Sequence, residues 1–173
     1  MVRDVEAGFT AFVAENGPRL LRFTAAVTGD RDQAEDVLQV ALEKAYGSWE
    51  RITRRGEPES YVKKMIVNAA RDVWRRRKRR PEVFGLDHQG PSYVPFDEIV
   101  TRDAVRTALA GLPPRQRLVL VLRYWEGLTE AETAELMGTS VGTVKSQGHR
   151  ATTTMRELLS LADETYAALG ARR

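Results

Sequence analysis

LTEAETAELMGTSVGTVKSQGHR, running from Leu128 to Arg150, is the stretch that decides the fold. Thr129 is followed three residues later by Glu132, the spacing at which a hydroxyl accepts one orphan helix N–H while a carboxylate reaches back for another. A helix is predicted to start there. Ala134 and Met137 fall on its inner side, Gly138 stands where a helix ends in a left-handed residue, and Ser140 is placed to cap the next helix. Val141 and Val144, at i and i+3, are expected to tie that second helix to the first. Thr143, Lys145, Ser146, His149 and Arg150 are left facing outward, a set of donors suited to phosphates and base edges in a major groove. Two short helices around a tight turn, the second polar and basic, form the layout of a DNA-reading helix-turn-helix. A surface helical hairpin is the plain alternative.

The global numbers narrow the class. A chain of 173 residues holds one medium domain or two small ones, and two small helical domains are expected. Hydrophobic residues make up 42% and charged residues 29%, a balance that suits a globular protein and not a disordered chain. The positive charge is local: residues 1–80 hold 17 Lys/Arg against 12 Asp/Glu, whereas residues 81–173 hold 10 against 12. With no cysteine, disulfides, thiolate zinc sites and cysteine nucleophiles are excluded. No apolar run approaches the ~18 residues of a membrane span. The opening MVRDVEAGFTAFVAENG carries acids where a signal peptide would be basic and then apolar. A reducing, cytoplasmic setting is expected.

Working outward, the chain reads as helices. Phe9, Phe12, Val13, Leu20, Leu21, Phe23, Ala26 and Val27 recur at helical spacing up to the stop signal Gly29, with a bend or restart predicted at Pro18. Asp30 with Gln33 can cap a second helix whose apolar stripe is Ala34, Val37, Leu38, Ala41, Leu42 and Ala45. After a polar turn from Thr53 to Pro58, a third helix runs from about Glu59 through Val62, Ile66, Ala69, Ala70 and Val73 into RRRKRR at Arg75–Arg80, where Pro81 should stop it. PEVFGLDHQGPSYVPFD, with three prolines, two glycines and no period, reads as an interdomain linker over 81–97. Beyond it, Ile99, Val105, Ala108, Leu109 and Leu112 form one helix. Leu118, Val119, Val121, Leu122 and Trp125 form the next, closed by Gly127. Residues 151–161 prolong the helix that begins near Val141, and 162–173 form a tail.

Two helix faces carry the candidate chemistry. The six cations from Arg75 to Arg80, with Lys63, Lys64 and Arg71 before them, would neutralise several phosphates and give steeply salt-dependent binding. A charge run is often only a solvated helix end, but this helix also carries Tyr61, Asn68 and Trp74, side chains able to stack on or hydrogen-bond an unpaired base. On the second helix Asp32, Glu35, Asp36 and Gln39 lie at i, i+3, i+4 and i+7, on one side, and could meet a basic partner surface. A carboxylate metal site of the di-iron type needs Glu-x-x-His pairs from facing helices, and the two histidines, His88 and His149, are not so placed. A nucleophilic triad would have to draw its partners from a linker and a DNA-reading helix, and no Gly-rich phosphate loop is present. Neither a catalytic residue, a metal nor a cofactor is expected.

Taken together, the two halves resemble the extracytoplasmic-function (ECF) branch of bacterial sigma factors over about residues 8–160. AEDVLQVALEKAY at Ala34–Tyr46 is similar to the family's core-binding helix, and YVKKMIVNAARDVWRRRKRR at Tyr61–Arg80 to its promoter-melting helix. LPPRQRLVLVLRYWEGLTEAETAELMGTSVGTVKS at Leu112–Ser146 is similar to its C-terminal domain. The resemblance implies an all-α protein of two small helical domains joined by a flexible linker: a region-2-like domain over 1–80 and a region-4-like helix-turn-helix domain over 98–161. It implies that Asp32, Glu35, Asp36 and Gln39 dock on the clamp helices of the large subunit of RNA polymerase core. Tyr61, Lys64 and Asn68, with Arg71, Arg75 and Arg76, would handle the −10 element and the opening duplex. Arg123, Ser140, Thr143, Lys145, Ser146, His149 and Arg150 would serve the −35 element. Promoter DNA and polymerase core are thus the implied partners, an anti-sigma factor a further one, and membrane insertion is not implied. Val40, Thr133 and the pair Gln147-Gly148 depart from the family pattern, and the last is where an individual −35 preference is expected. Three other classes remain distinct: a helix-turn-helix regulator acting without polymerase core, an enzyme built on the carboxylate face, and a protein-only adaptor.

Overall fold

A computed structural model describes residues 2–79 and 99–170, with side chains from 4 to 79 and from 103 to 161. The predicted linker over 81–97, Arg80, the stop at Pro81 and His88 lie outside the described residues. Helical periodicity in the sequence becomes α1 (Val2–Thr28), α2 (Arg31–Tyr46), α3 (Trp49–Arg54) and α4 (Pro58–Arg79). After these come α5 (Ile99–Gly111), α6 (Pro114–Leu120) passing into a π turn (Val121–Trp125), α7 (Glu130–Met137) and α8 (Val141–Gly170). No strand occurs among the described residues. The chain divides into two compact units, residues 1–87 and 88–173, so the expected all-α class with two helical domains is what the chain adopts.

In the first unit α1 packs on α2 and α4. Leu20, Phe23 and Val27 of α1, Ala34, Val37 and Ala41 of α2 and Val62, Ile66 and Val67 of α4 are all essentially removed from solvent. Each large apolar side chain buried this way contributes about 1.5–3 kcal/mol. Asp30 opens α2 by accepting from the Gln33 backbone N–H at 2.9 Å, as the spacing predicts. Two features differ from expectation. Of the bend or restart expected at Pro18, the restart does not occur: α1 is one helix through that residue. Proline keeps a helical φ and removes one donor, and the buried Leu20, Phe23 and Val27 just beyond it outweigh that loss, while Asn16 Nδ2 donates to the Phe12 carbonyl at 3.0 Å. The short α3 is an addition, too brief to show a period. It exists because Trp49 and Ile52 are buried, with the Phe9 ring 5.2 Å from those of both Tyr46 and Trp49.

In the second unit α5, α6 and α7 pack against α8. Leu112, Leu120 and Ala151 form one core cluster, flanked by Leu109, Met155 and Leu158. Arg117 is buried, 5% exposed, and its Nη1 donates to the Ala110 carbonyl at 2.9 Å and the Leu112 carbonyl at 3.3 Å, closing the C-terminal end of α5. At the π turn the Glu126 N–H reaches back five residues to the Val121 carbonyl at 3.1 Å. That wider step shifts the phase of the apolar stripe. Trp125, expected inside, is therefore 52% exposed and Tyr124 72%. α8 also outlasts its prediction: the helix continues through 162–170, where a tail was expected, because this stretch is rich in strong helix formers.

Candidate docking face and nucleic-acid interface

The helix-turn-helix forms as its residues dictate. Thr129 Oγ1 accepts from the Glu132 N–H at 3.2 Å and Glu132 Oε2 accepts from the Thr129 N–H at 2.7 Å, both halves of a capping box. Gly138 adopts φ 59°, ψ 48°, and the Thr139 N–H closes on the Ala134 carbonyl at 2.9 Å. Ser140 Oγ accepts from the Thr143 N–H at 3.1 Å and lies 2.9 Å from Thr143 Oγ1. Ala134, Met137 and Val144 are buried at the junction of α7 and α8. Val141, expected to share that contact, is 39% exposed: as the first residue of α8 it precedes the turn that packs.

On the outer side of α8, Ser140, Lys145, Ser146, His149 and Arg150 are exposed and Thr143 is half-buried. Lys145 Nζ lies 3.6 Å from Glu130 Oε2 at the start of α7, an exposed pair of little energetic weight. Arg123 is half-buried and donates to the Leu128 carbonyl, bracing the approach to α7. Of the departing pair, Gly148 faces inward: a Cβ there would sit 3.5 Å from Val119 Cγ1. Thr133 is fully buried in α7, its hydroxyl unpartnered.

On α4, Tyr61, Lys64, Asn68, Arg71 and Arg75 follow one another at intervals of three or four, a single stripe opposite the buried Val62, Ile66 and Ala70. Lys64, Asn68, Arg75 and Arg76 are exposed, Tyr61 and Arg71 half-buried, and Arg75 pairs with Asp72. The inner side of the run behaves differently. Gln33 of α2 is buried, 8% exposed, and with its amide oxygen turned to the guanidinium it accepts from Arg77 Nη1 and Nη2 at 2.7 and 2.6 Å. No spacing rule connects these two residues.

On α2, Asp32, Glu35, Asp36 and Gln39 are all exposed along one side. Arg31 Nε lies 3.8 Å from Glu35 Oε1, and Gln39 Nε2 donates to Glu43 Oε1 at 3.1 Å. Beside them Phe9, Leu21, Leu38, Leu42 and Tyr46 line an apolar groove with Glu35 and Glu43 at its rim. The sequence places Leu38 and Leu42 on the core stripe, but the buried centre of α2 is Ala34, Val37, Ala41 and Ala45, and the two leucines lie to one side of it around the helix, so they are only half-buried. Val40 is 39% exposed next to this face. Among the described residues no group of three or more His, Asp or Glu could hold a metal, and no helix is long and apolar enough to cross a membrane.

Two helical units, one carrying a helix-turn-helix and the other a basic helix beside an acidic one, define an all-α chain of transcription-factor type. The Sigma-70 region 2 family model matches residues 12–80 and the Sigma-70, region 4 model matches residues 102–155. The chain is 34% identical over 161 residues to the RNA polymerase sigma-E factor of Streptomyces coelicolor, covering 93% of this chain and 91% of that one. It is 33% identical over 141 residues to the ECF RNA polymerase sigma factor SigM of Mycobacterium tuberculosis, covering 82% and 70%. Its fold is shared with the sigma factor RpoE of Bartonella quintana, solved in complex with the anti-sigma factor NepR, at a TM-score of 0.65 and 23% identity over 88% of this chain and 97% of that one. The chain belongs to the sigma-70 family of RNA polymerase sigma factors, in its ECF branch, a family of transcription initiation factors and not of enzymes.

Proposed function

We propose that this sigma factor docks on RNA polymerase core through the exposed acidic side of α2, reads the −10 element with α4 and the −35 element with α8, and helps open the duplex. The domains that do this are residues 1–80 and 98–161. The observation that carries the proposal is that the first unit presents two chemically distinct exposed faces on adjacent helices. Asp32, Glu35, Asp36 and Gln39 lie on one, and Lys64, Asn68, Arg75 and Arg76 lie on the other, with Tyr61 and Arg71 half-buried among them. An acidic face beside an apolar groove suits a basic, helical partner surface such as the clamp helices of the large polymerase subunit. A stripe of cations with an aromatic ring and an amide suits a separating duplex: the cations follow phosphates while Tyr61 and Asn68 take up an unpaired base. Unstacking a base costs a few kcal/mol, which contacts to the extruded base can offset, so opening needs neither ATP nor a catalytic residue. On α8, Lys145, Ser146, His149 and Arg150 supply groove and phosphate contacts, with Ser140 and Thr143 at the helix start and Arg123 as a backbone contact. The chain would work in the cytoplasm with polymerase, under an anti-sigma factor that covers these faces.

The test is core capture and promoter-directed transcription in vitro by the Asp36→Lys, Gln39→Lys double variant. Both positions are exposed, so folding should be unaffected, and core capture and transcription should both be lost. Transcription that survives this change would sink the proposal. Promoter binding by the wild-type chain with no capture of core would instead favour a regulator that acts without polymerase.

A further inference from the structure

The last turn of α4 is a problem in electrostatics. Arg75, Arg76, Arg77, Lys78 and Arg79 are consecutive and exposed, and like charges three or four apart on a helix repel. The last buried residue of α4 is Ala70, with Val73 and Trp74 only half-buried, so apolar packing does not hold this turn. Helical phase separates one cation from the rest. Val62, Ile66, Ala70, Val73 and Arg77 follow at intervals of three or four, so Arg77 continues the inner stripe, about 200° around the helix from Arg75. There it meets Gln33, whose amide oxygen takes both Nη groups at 2.7 and 2.6 Å. Gln33 is itself fixed, because its backbone N–H is held by the Asp30 cap at 2.9 Å and its side chain is buried.

We infer that Gln33 and Arg77 form a strap that holds the end of the basic helix α4 on the first turn of α2, so that Arg77 positions the run and does not itself meet phosphate. The inference rests on the proposed roles of α2 in core docking and α4 in handling the −10 element. Under it, Arg75 and Arg76 face the DNA because Arg77 faces the protein. Gln33 is then a positioning residue, flanked by Asp32 and Glu35 of the docking face, and a shift in the first turn of α2 is passed to the last turn of α4.

The test uses the full chain with polymerase core and compares Gln33→Ala, Arg77→Ala, the double variant, and Arg76→Ala as the phosphate-contact control. Removing a phosphate contact lowers the slope of log affinity against log salt by about 0.7–0.9. That change is expected for Arg76→Ala and not for Arg77→Ala or Gln33→Ala. Permanganate reactivity of the −10 thymines should fall several-fold, to a similar degree, in both strap variants and no further in the double variant, since residues acting through one contact are not additive. Amide exchange at 75–79 should rise in both while that near Ile66 is unchanged. Gln33→Glu keeps an acceptor for the guanidinium and should leave both opening and protection at 75–79 intact, which separates loss of the strap from general damage. A drop in salt slope for Arg77→Ala with Gln33→Ala behaving as wild type, or an additive double variant, overturns the strap. Should the wild-type chain fail to capture core, the proposed function falls instead, and exchange at 75–79 in the free chain still decides the strap.

Discussion

Thr133 and Gly148 are each at odds with their surroundings, and in each case the atom at fault is visible. The Thr133 hydroxyl is buried in α7 with no partner, and an unsatisfied buried hydroxyl costs about 1–3 kcal/mol. Thr133→Val has nearly the same shape and removes the hydroxyl. It should raise the melting temperature of the second unit by several degrees, at ~4–8 °C per kcal/mol for a domain of this size; a fall in melting temperature would show that the hydroxyl is satisfied after all. Gly148 sits inside α8 with ordinary contact distance available for a Cβ, 3.5 Å from Val119 Cγ1. Glycine costs a helix up to about 1 kcal/mol relative to alanine, so Gly148→Ala should stabilise by about 0.5–1 kcal/mol in urea titration. Because this position faces Val119, −35 affinity should stay within twofold of wild type. A larger loss in a promoter-binding titration would place Gly148 on the DNA side.

At the scale of elements, what the sequence revealed depended on whether the deciding contact was local. The capping box of α7, the Gly138 stop and the Asp30 cap depend on atoms three to five residues apart, and spacing alone exposes them. The acidic stripe of α2 and the cationic stripe of α4 are legible for the same reason, as phase on a helix. What stayed hidden came from partners distant in sequence. α3 exists because Trp49 meets Phe9 and Phe12, the Leu38–Leu42 groove because Phe9 and Leu21 of α1 complete its lining, and the turn of the Arg77 guanidinium toward Gln33 because that partner lies 44 positions away. Trp125 was misplaced because one π step changes the phase that periodicity assumes. Arg117 belongs to this hidden class too, since a cation among apolar residues in α6 looks like a solvated side chain. Its bonds to the end of α5 predict that Arg117→Met, which keeps an unbranched apolar stem and loses the donors, will cost about 2–3 kcal/mol. A shift in the urea midpoint at constant slope would register that loss, and an unchanged midpoint would mean that α5 does not depend on this cap.

For the whole molecule, the division into two compact units has a consequence of its own. The two units share a tether, so under the proposed function each raises the local concentration of the other on a promoter. Cleavage at a site introduced within 81–97 should then lower promoter-directed transcription by about 10²–10⁴-fold at limiting concentration, as expected when an intramolecular second contact becomes bimolecular. Circular dichroism should show both fragments still helical, and undiminished transcription by the cleaved pair would mean that one unit suffices. Within the second unit α8 acts as a single stiff rod: its 30 residues span about 45 Å. Lys145, Ser146 and His149 ride on one end, while Met155 and Leu158 are gripped by Leu109 and Leu112 further along. The grip lies about 15 Å from Lys145 along the axis, so it works as the mount of a gunsight. Under the proposed function, repacking around Met155 would re-aim Lys145, Ser146 and His149 without altering any of them, and promoter preference would drift through changes made entirely in the hydrophobic interior.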